Sequence, residues 1–191
     1  MALFESIPVF GSWFQIFFVE NPGMAFGLDP GNKLLLTLFR IVAMCFITMY
    51  LVRLIRQDYK IGFILCVSLI LVGATGNIID SVFYGMIFEA AHPGQVASFV
   101  PWGQGYASLF HGNVVDMFYF PIIRTTWPEW FPWVGGNEFL FFRYIFNVAD
   151  SAITIGVALL LICYRKTFSY SLLSKREREK LEKENLEKEN A

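Results

Sequence analysis

The chain has 191 residues, of which 55% are hydrophobic and 18% aromatic, and its formal net charge is −1. The mean hydropathy of +0.50 is too high for an ordinary soluble domain of this length and indicates a membrane protein. The sequence has no basic field for nucleic acid and no cysteine or histidine cluster for zinc. We therefore expect no nucleic-acid partner and no metal site.

Two apolar segments are long enough to cross a membrane. Residues 34–52 form a run of nineteen residues broken only by Arg40, and residues 61–79 form a second run of nineteen without any charge. As α-helices, each would extend about 28 Å, close to the thickness of the hydrocarbon core. Both are predicted to be membrane spans.

The second span ends in Gly73, Gly76, Asn77 and Asp80, whose spacing places them on one helical face. Small residues there would let a neighbouring helix approach closely. Asn77 and Asp80 would either hydrogen-bond to that helix or support a functional site.

A third predicted span covers residues 139–164 and is polar only in its first half. Asn147, Asp150 and Thr154 would form a stripe on one face of that helix, turned towards a partner helix or a cavity. A carboxylate near the centre of a membrane helix costs about 3 kcal/mol or more, so Asp150 is predicted to be functional.

Basic residues near the ends of the spans predict the orientation. They lie between the first two spans and after the third, and those flanks are expected to be cytoplasmic: Arg53, Arg56, Lys60, Arg165, Lys166, Lys175 and Arg176. The N-terminal region and the segment 81–138 would then lie on the outer face. That segment is rich in aromatic residues and would either lie on the membrane surface or fold as a small loop with its own aromatic core.

The predicted fold is therefore an all-α membrane protein, a bundle of transmembrane helices with a small extracytoplasmic subdomain at the membrane surface. Residues 1–174 would form the membrane domain. Residues 175–191, which hold six basic and six acidic side chains, would form a charged cytoplasmic tail.

Asp116 lies in the stretch HGNVVDMFYF, with apolar residues on both sides. Alone it is a weak signal, because a carboxylate in a loop is usually solvated. Two neighbouring carboxylates cannot both ionise easily, however, and such a pair holds one proton near neutrality. That state suits peptide hydrolysis, since one member takes a proton from water while the other donates to the developing oxyanion.

Four stretches, in this order, resemble the signature blocks of the lipoprotein signal peptidases: ENPGMAFG at 20–27, GATGNIID at 73–80, VVD at 114–116 and FNVADS at 146–151. The resemblance implies an aspartic endopeptidase without a cofactor, with Asp116 and Asp150 as the catalytic pair. The substrate would be a diacylglyceryl-modified prolipoprotein, cut just before its lipidated cysteine.

On the same basis, Asn21, Asn77, Asp80 and Asn147 would bind the substrate or support the catalytic pair. The resemblance also implies a multi-pass protein of the bacterial cytoplasmic (inner) membrane, in contact with membrane lipid, with its active site near the extracytoplasmic face. We expect it to act as a monomer.

The sequence departs from the family pattern in three respects. The family normally has another membrane helix before the position of Met1, and it usually has Arg where this chain has Ser81, which removes a cation. The segment between Asp80 and Asp116 is also much longer than usual. Two other functions stay open: a small transporter or proton relay that uses Asp80 and Asp150, and a scaffold that binds lipoproteins without cleaving them.

Overall fold

The protein is described here by a computed structural model that covers residues 1–23 and 31–189. Helix α1 (Lys33–Arg56) begins at Asn32, whose side chain accepts a hydrogen bond from the backbone N–H of Leu35. Helix α2 (Ile61–Ile79) continues through a π-helical segment (Asp80–Tyr84) into the short helix α3 (Gly85–Ile87). The first two predicted spans, 34–52 and 61–79, lie in α1 and α2.

Two of the described helices are long and apolar enough to cross a membrane, Lys33–Arg56 and Ile61–Ile87. Many large apolar side chains on α1 remain exposed, and five of them recur every three or four residues along the helix: Leu35, Phe39, Val42, Phe46 and Met49. In a membrane protein, an exposed apolar stripe of this kind is stable in contact with lipid.

The third span predicted for residues 139–164 is wrong in its first half. Helix α4 covers Val148–Cys163, and the residues before it form strands instead. Asn147 ends the extended segment and caps α4, so it precedes the helix instead of lying within it as predicted. The aromatic residues of 139–146 favour strand pairing over helix, which explains the difference.

Helix α4 is followed by α5 (Arg165–Leu172), and the two are bent by 91° with respect to each other. The pair counts as a third possible span if both helices belong to one crossing. Helix α6 (Lys175–Glu189) contains most of the charged tail. The division into a membrane domain and a cytoplasmic tail stays a prediction.

The expectation of an all-α fold is not confirmed, because the chain also forms two antiparallel sheets. One contains β1 (Ser6–Phe10), β2 (Phe14–Asn21), β3 (Val114–Tyr119) and β6 (Ile145–Phe146) in that order. The other pairs β4 (Ile123–Thr126) with β5 (Glu138–Phe141). The larger sheet joins the N-terminal hairpin to the start of α4, and so connects segments more than 100 residues apart in the sequence.

Glycines allow α2 and α4 to pack with their backbones almost in contact. A Cβ atom at Gly73 would lie 2.3 Å from the carbonyl oxygen of Ala149, and one at Gly156 would lie 2.8 Å from that of Cys66. The close approach predicted for the face containing Gly73 is thus observed. This contact determines the position of Asp150, the residue after Ala149, relative to the end of α2.

We predict that Gly73→Leu destabilises the protein, because the new side chain has no room beside Ala149. The matched control is Val72→Leu, at the adjacent position, where the side chain is exposed. Overpacking of about 2 kcal/mol should lower the melting temperature in detergent by about 5 °C for Gly73→Leu and leave the control within about 1 °C. Equal melting temperatures for the two variants would contradict the packing described here.

Candidate active site

Asp116 lies in β3 and is almost completely buried, with 4% of its surface exposed. Strand pairing places it opposite Val19 of β2. The side-chain amide of Asn21 donates to its Oδ2 at 3.1 Å, and that of Asn147 donates to its Oδ1 at 2.8 Å. The Asp116 carboxyl group is therefore bound by two amides rather than solvated.

Burial raises the pKa of Asp116 from its ordinary value to about 6. The hydrogen bonds from Asn21 and Asn147 oppose this rise, whereas the negative charges of Asp150 and Asp80 add to it. Asp116 therefore binds its proton far more tightly than a solvated aspartate does.

Asp150 lies in the first turn of α4 and forms a reciprocal cap with Asn147. The backbone N–H of Asp150 donates to Asn147 Oδ1 at 2.9 Å, and the backbone N–H of Asn147 donates to Asp150 Oδ2 at 3.3 Å. Asn77 of α2 donates to Asp150 Oδ1 at 2.8 Å. The Asp150 carboxylate therefore accepts hydrogen bonds from two different segments of the chain, the end of α2 and the residue that caps α4.

Asn147 connects the two carboxylates. Its Nδ2 atom donates to Asp116 and lies 3.0 Å from Asn77 Oδ1, while its backbone N–H and Oδ1 bind Asp150. The predicted residues Asn21, Asn77 and Asn147 thus belong to one hydrogen-bond network that contains both aspartates. Such a network orients both carboxylates without requiring a charge at any of its amide members.

Asp80 lies at the edge of this arrangement. It accepts a hydrogen bond from the backbone N–H of Val115 at 3.2 Å and another from the hydroxyl of Tyr84. It is not among the residues that line the cavity described below. Asp80 thus binds β3 to the end of α2 through Val115, the residue before Asp116.

The long segment between Asp80 and Asp116 returns to the place where it began. The backbone N–H of Gly112 donates to the carbonyl of Ser81 at 2.8 Å, and that of Phe110 donates to Val82 at 3.2 Å. A Cβ atom at Gly112 would lie 2.2 Å from the carbonyl oxygen of Asp80, so glycine is needed for this contact. The extra length therefore does not displace Asp116 from the end of α2.

A cavity of about 710 Å³ contains both carboxylates. Its polar residues are Asn21, Arg40, Asn77, Asp116, Asp150, Ser151 and Thr154, together with Tyr144. The remaining wall is apolar and comes mainly from β6, the loop before it and α4: Val114, Phe142, Ile145, Phe146 and Ile155. The cavity can thus hold an elongated ligand with one polar centre and an apolar body.

The turn after β2 approaches the same cavity. Asn21 Oδ1 accepts a hydrogen bond from the backbone N–H of Gly23 at 2.9 Å, and Gly23 has a φ of +104°, which favours glycine. This local bond orients the Asn21 amide towards Asp116. The rest of the sequence block that starts at Glu20, residues 24–27, lies outside the described residues.

Sequence reasoning noted Arg40 in the first span but gave it no role. The structure places its guanidinium at the cavity, where Nη1 lies 3.3 Å from the hydroxyl oxygen of Ser81. The family usually has an arginine where this chain has Ser81, and here the guanidinium of Arg40 from α1 lies beside that serine. The available signal was the charge itself, since a basic residue inside a membrane helix is rarely without function.

Within residues 1–23 and 31–189, no group of three or more His, Cys, Asp or Glu side chains is placed to hold a metal ion. The expectation that the protein needs no metal and no cofactor stays a prediction.

A family model described as Signal peptidase (SPase) II matches residues 1–166. The lipoprotein signal peptidase of Porphyromonas gingivalis is 55% identical over 169 residues, which cover 88% of this chain and 74% of that protein. The lipoprotein signal peptidase of Amoebophilus asiaticus is 39% identical over 166 residues, 85% of this chain and 66% of that protein.

Solved structures resemble the fold as well. A bacterial membrane enzyme determined by the in meso method at 2.3 Å has a TM-score of 0.54 and 24% identity, covering 92% of this chain and 79% of its own. A second, determined at 1.9 Å, has a TM-score of 0.51 and 25% identity, covering 85% and 76%. From the extent of the family match and the identity to these relatives, the chain belongs to the signal peptidase II family.

Proposed function

We propose that this protein is an aspartic endopeptidase that cleaves diacylglyceryl-modified prolipoproteins just before the lipidated cysteine, with Asp116 and Asp150 as the catalytic pair. One observation carries the proposal: Asn147 binds both carboxylates, and both border the same cavity. Two carboxylates held side by side, with one proton between them, are the arrangement that water-mediated peptide hydrolysis requires.

The environments of the two residues suggest how the proton is shared. Asp116, whose pKa is raised to about 6 chiefly by burial, is assigned as the protonated member. Asp150, with donors from Asn77 and Asn147 at the N-terminus of α4, is assigned as the ionised member. Unequal surroundings are what allow two like residues to take different roles.

In the first step, the Asp150 carboxylate takes a proton from a water molecule whose oxygen attacks the scissile carbonyl carbon. Asp116 gives its proton to the carbonyl oxygen, which yields a tetrahedral diol. In the second step, Asp150 returns its proton to the leaving amine nitrogen as the C–N bond breaks. One diol hydroxyl then gives its proton to Asp116, and the pair regains its initial state.

The cavity and its surroundings agree with an amphipathic substrate. The apolar wall formed by Phe142, Ile145, Phe146 and Ile155 adjoins the polar centre, so a lipid chain and a peptide backbone can be bound together. We infer that Asn21, Asn77 and Asn147 hold the carboxylates, and that Asp80 positions β3.

We infer the location from the charges on the loops. Arg53, Arg56 and Lys60 lie at the opposite end of α1 and α2 from the cavity, and Arg165 and Lys166 follow α4. Basic flanks favour the cytoplasmic side, which supports a cavity near the extracytoplasmic face of the bacterial inner membrane. A multi-pass monomer in contact with lipid is the simplest assembly that this arrangement needs.

We predict that Asp116→Asn and Asp150→Asn each reduce cleavage of a diacylglyceryl-modified lipobox peptide by about a thousandfold or more, because each removes a proton acceptor or donor. The assay uses the purified protein in detergent. Asp58→Asn is the matched control, since Asp58 is exposed in the loop between α1 and α2 and its φ of 54° suits asparagine. Cleavage retained in either dyad variant, with binding and folding intact, would refute the assignment.

We predict that kcat/KM falls as pH rises above about 6. The Asp116 pKa of about 6 lies above its ordinary value, so the folded enzyme keeps the required proton below pH 6 and loses it above. Asp150, Asp80 and Arg40 are the charged groups that act on this proton. A pH profile measured on the same peptide tests the prediction, and an activity that rises steadily from pH 6 to pH 8 would contradict it.

A further inference from the structure

Arg40 is a positive charge in the wall of the cavity that holds the two carboxylates. It lies seven residues after the start of α1, about 10 Å along the helix axis. An arginine within an apolar helix costs about 3 kcal/mol unless it has partners that compensate for its lost hydration. Its surroundings therefore indicate what the residue does.

Two segments border the guanidinium. Nη1 donates to Ser81 Oγ at 3.3 Å, and Ser81, which is buried, donates in turn to the carbonyl oxygen of Asn77 at 2.8 Å. On the other side, a Cβ atom at Gly23 would lie 3.7 and 3.8 Å from Nη2 and Nη1. Arg40 thus reaches from α1 into the space between the end of α2 and the turn after β2.

The carboxylates of Asp150 and Asp116 attract this guanidinium electrostatically. Among the described residues that line the cavity, Arg40 is the one with a permanent positive charge. The other basic residue near this end of α1, Lys33, donates to Asn113, which also binds Glu20. Arg40 therefore adds a positive charge to the cavity wall that it shares with the two carboxylates.

A purely structural role for Arg40 explains less. A single hydrogen bond of 3.3 Å to a neutral hydroxyl is weak compensation for a charge within a membrane helix. The side chains of Asp116 and Asp150, which line the same cavity, provide charges of opposite sign. The placement of the charge, rather than the contact with Ser81, accounts for an arginine at this position.

We propose that Arg40 is a positioning residue of the active site, whose positive charge sets the pH range in which the Asp116 and Asp150 pair carries one proton. This inference rests on the proposed function. Without the cation, the pair as a whole holds its protons to higher pH, so the state with one proton is reached at higher pH. Removal of the charge therefore shifts the whole pH profile upward.

The charges that act on the pair come from every element around it. Asp116 lies in β3, Asp150 in α4, Asp80 in the π-helical segment and Arg40 in α1. Glu20 and Lys33 lie further out and are joined through Asn113. Of the positive charges in this set, Arg40 is the one that lines the cavity, so its substitution should change the profile most.

The test compares Arg40→Gln with Arg40→Lys, and uses Arg53→Gln, near the other end of α1, as the matched control. Arg40→Gln should move the whole pH profile upward by about one unit, which lowers kcat/KM about tenfold on the acid limb and moves the loss of activity above pH 6 to higher pH. Arg40→Lys, which keeps the charge, should retain most of the activity and the original optimum. Arg53→Gln should leave both unchanged, and melting temperatures report on folding.

A further variant, Ser81→Ala, removes the hydrogen bond and keeps the charge. An unchanged pH profile in Ser81→Ala supports the proposal even if Arg40→Gln does not fold. The proposal is overturned if Arg40→Gln folds and keeps the original profile, or if Ser81→Ala shifts the profile as Arg40→Gln does.

The dyad variants separate this inference from the proposed function. If cleavage persists in Asp116→Asn or Asp150→Asn, the two residues are not the catalytic pair, and the role proposed for Arg40 is rejected with that assignment. Cleavage that is lost in both, with an unchanged pH profile in Arg40→Gln, leaves the catalytic pair in place and rejects the role of Arg40 alone.

Discussion

The side chain of Asn147 is the contact on which the rest of the site depends. It lies where β6 ends and α4 begins, so one residue caps the helix that contains Asp150 and donates to Asp116 on the neighbouring strand. Asn77 closes the network from α2. Because each amide is both donor and acceptor, a displacement of any one element leaves a polar group without its partner, which costs about 1 to 3 kcal/mol.

Backbone packing and charge balance then place the remaining groups. The absence of a side chain at Gly73 brings the start of α4 against α2, and Gly112 brings the extended external segment back to Asp80 and Ser81. Arg40 enters from α1 and faces the same carboxylates. Three helices and two strands, β2 and β3, therefore contribute polar side chains to one site, while apolar side chains surround it.

Part of this arrangement was predictable from the sequence. The first two spans follow from long apolar runs, the first broken only by Arg40, and Asp150 is predicted to be functional because a carboxylate within an apolar helix is costly. The strand before Asn147 was missed, since an aromatic segment that continues into an apolar helix looks like one long span. Asp116 could not be placed by local pattern, because its burial depends on β2, which lies about 95 residues earlier. Arg40 was visible as a charge, but its partners come from three other segments of the chain.

The central claim is that Asp116 and Asp150 form one coupled pair that shares a proton. Infrared titration of the carboxyl C=O band in the wild type, Asp116→Asn and Asp150→Asn measures that proton directly. The account predicts a protonated carboxyl that disappears with a midpoint near pH 6, that is absent in Asp116→Asn and that titrates at lower pH in Asp150→Asn, because a neighbouring negative charge has been removed. A band that is unchanged in both variants would contradict it.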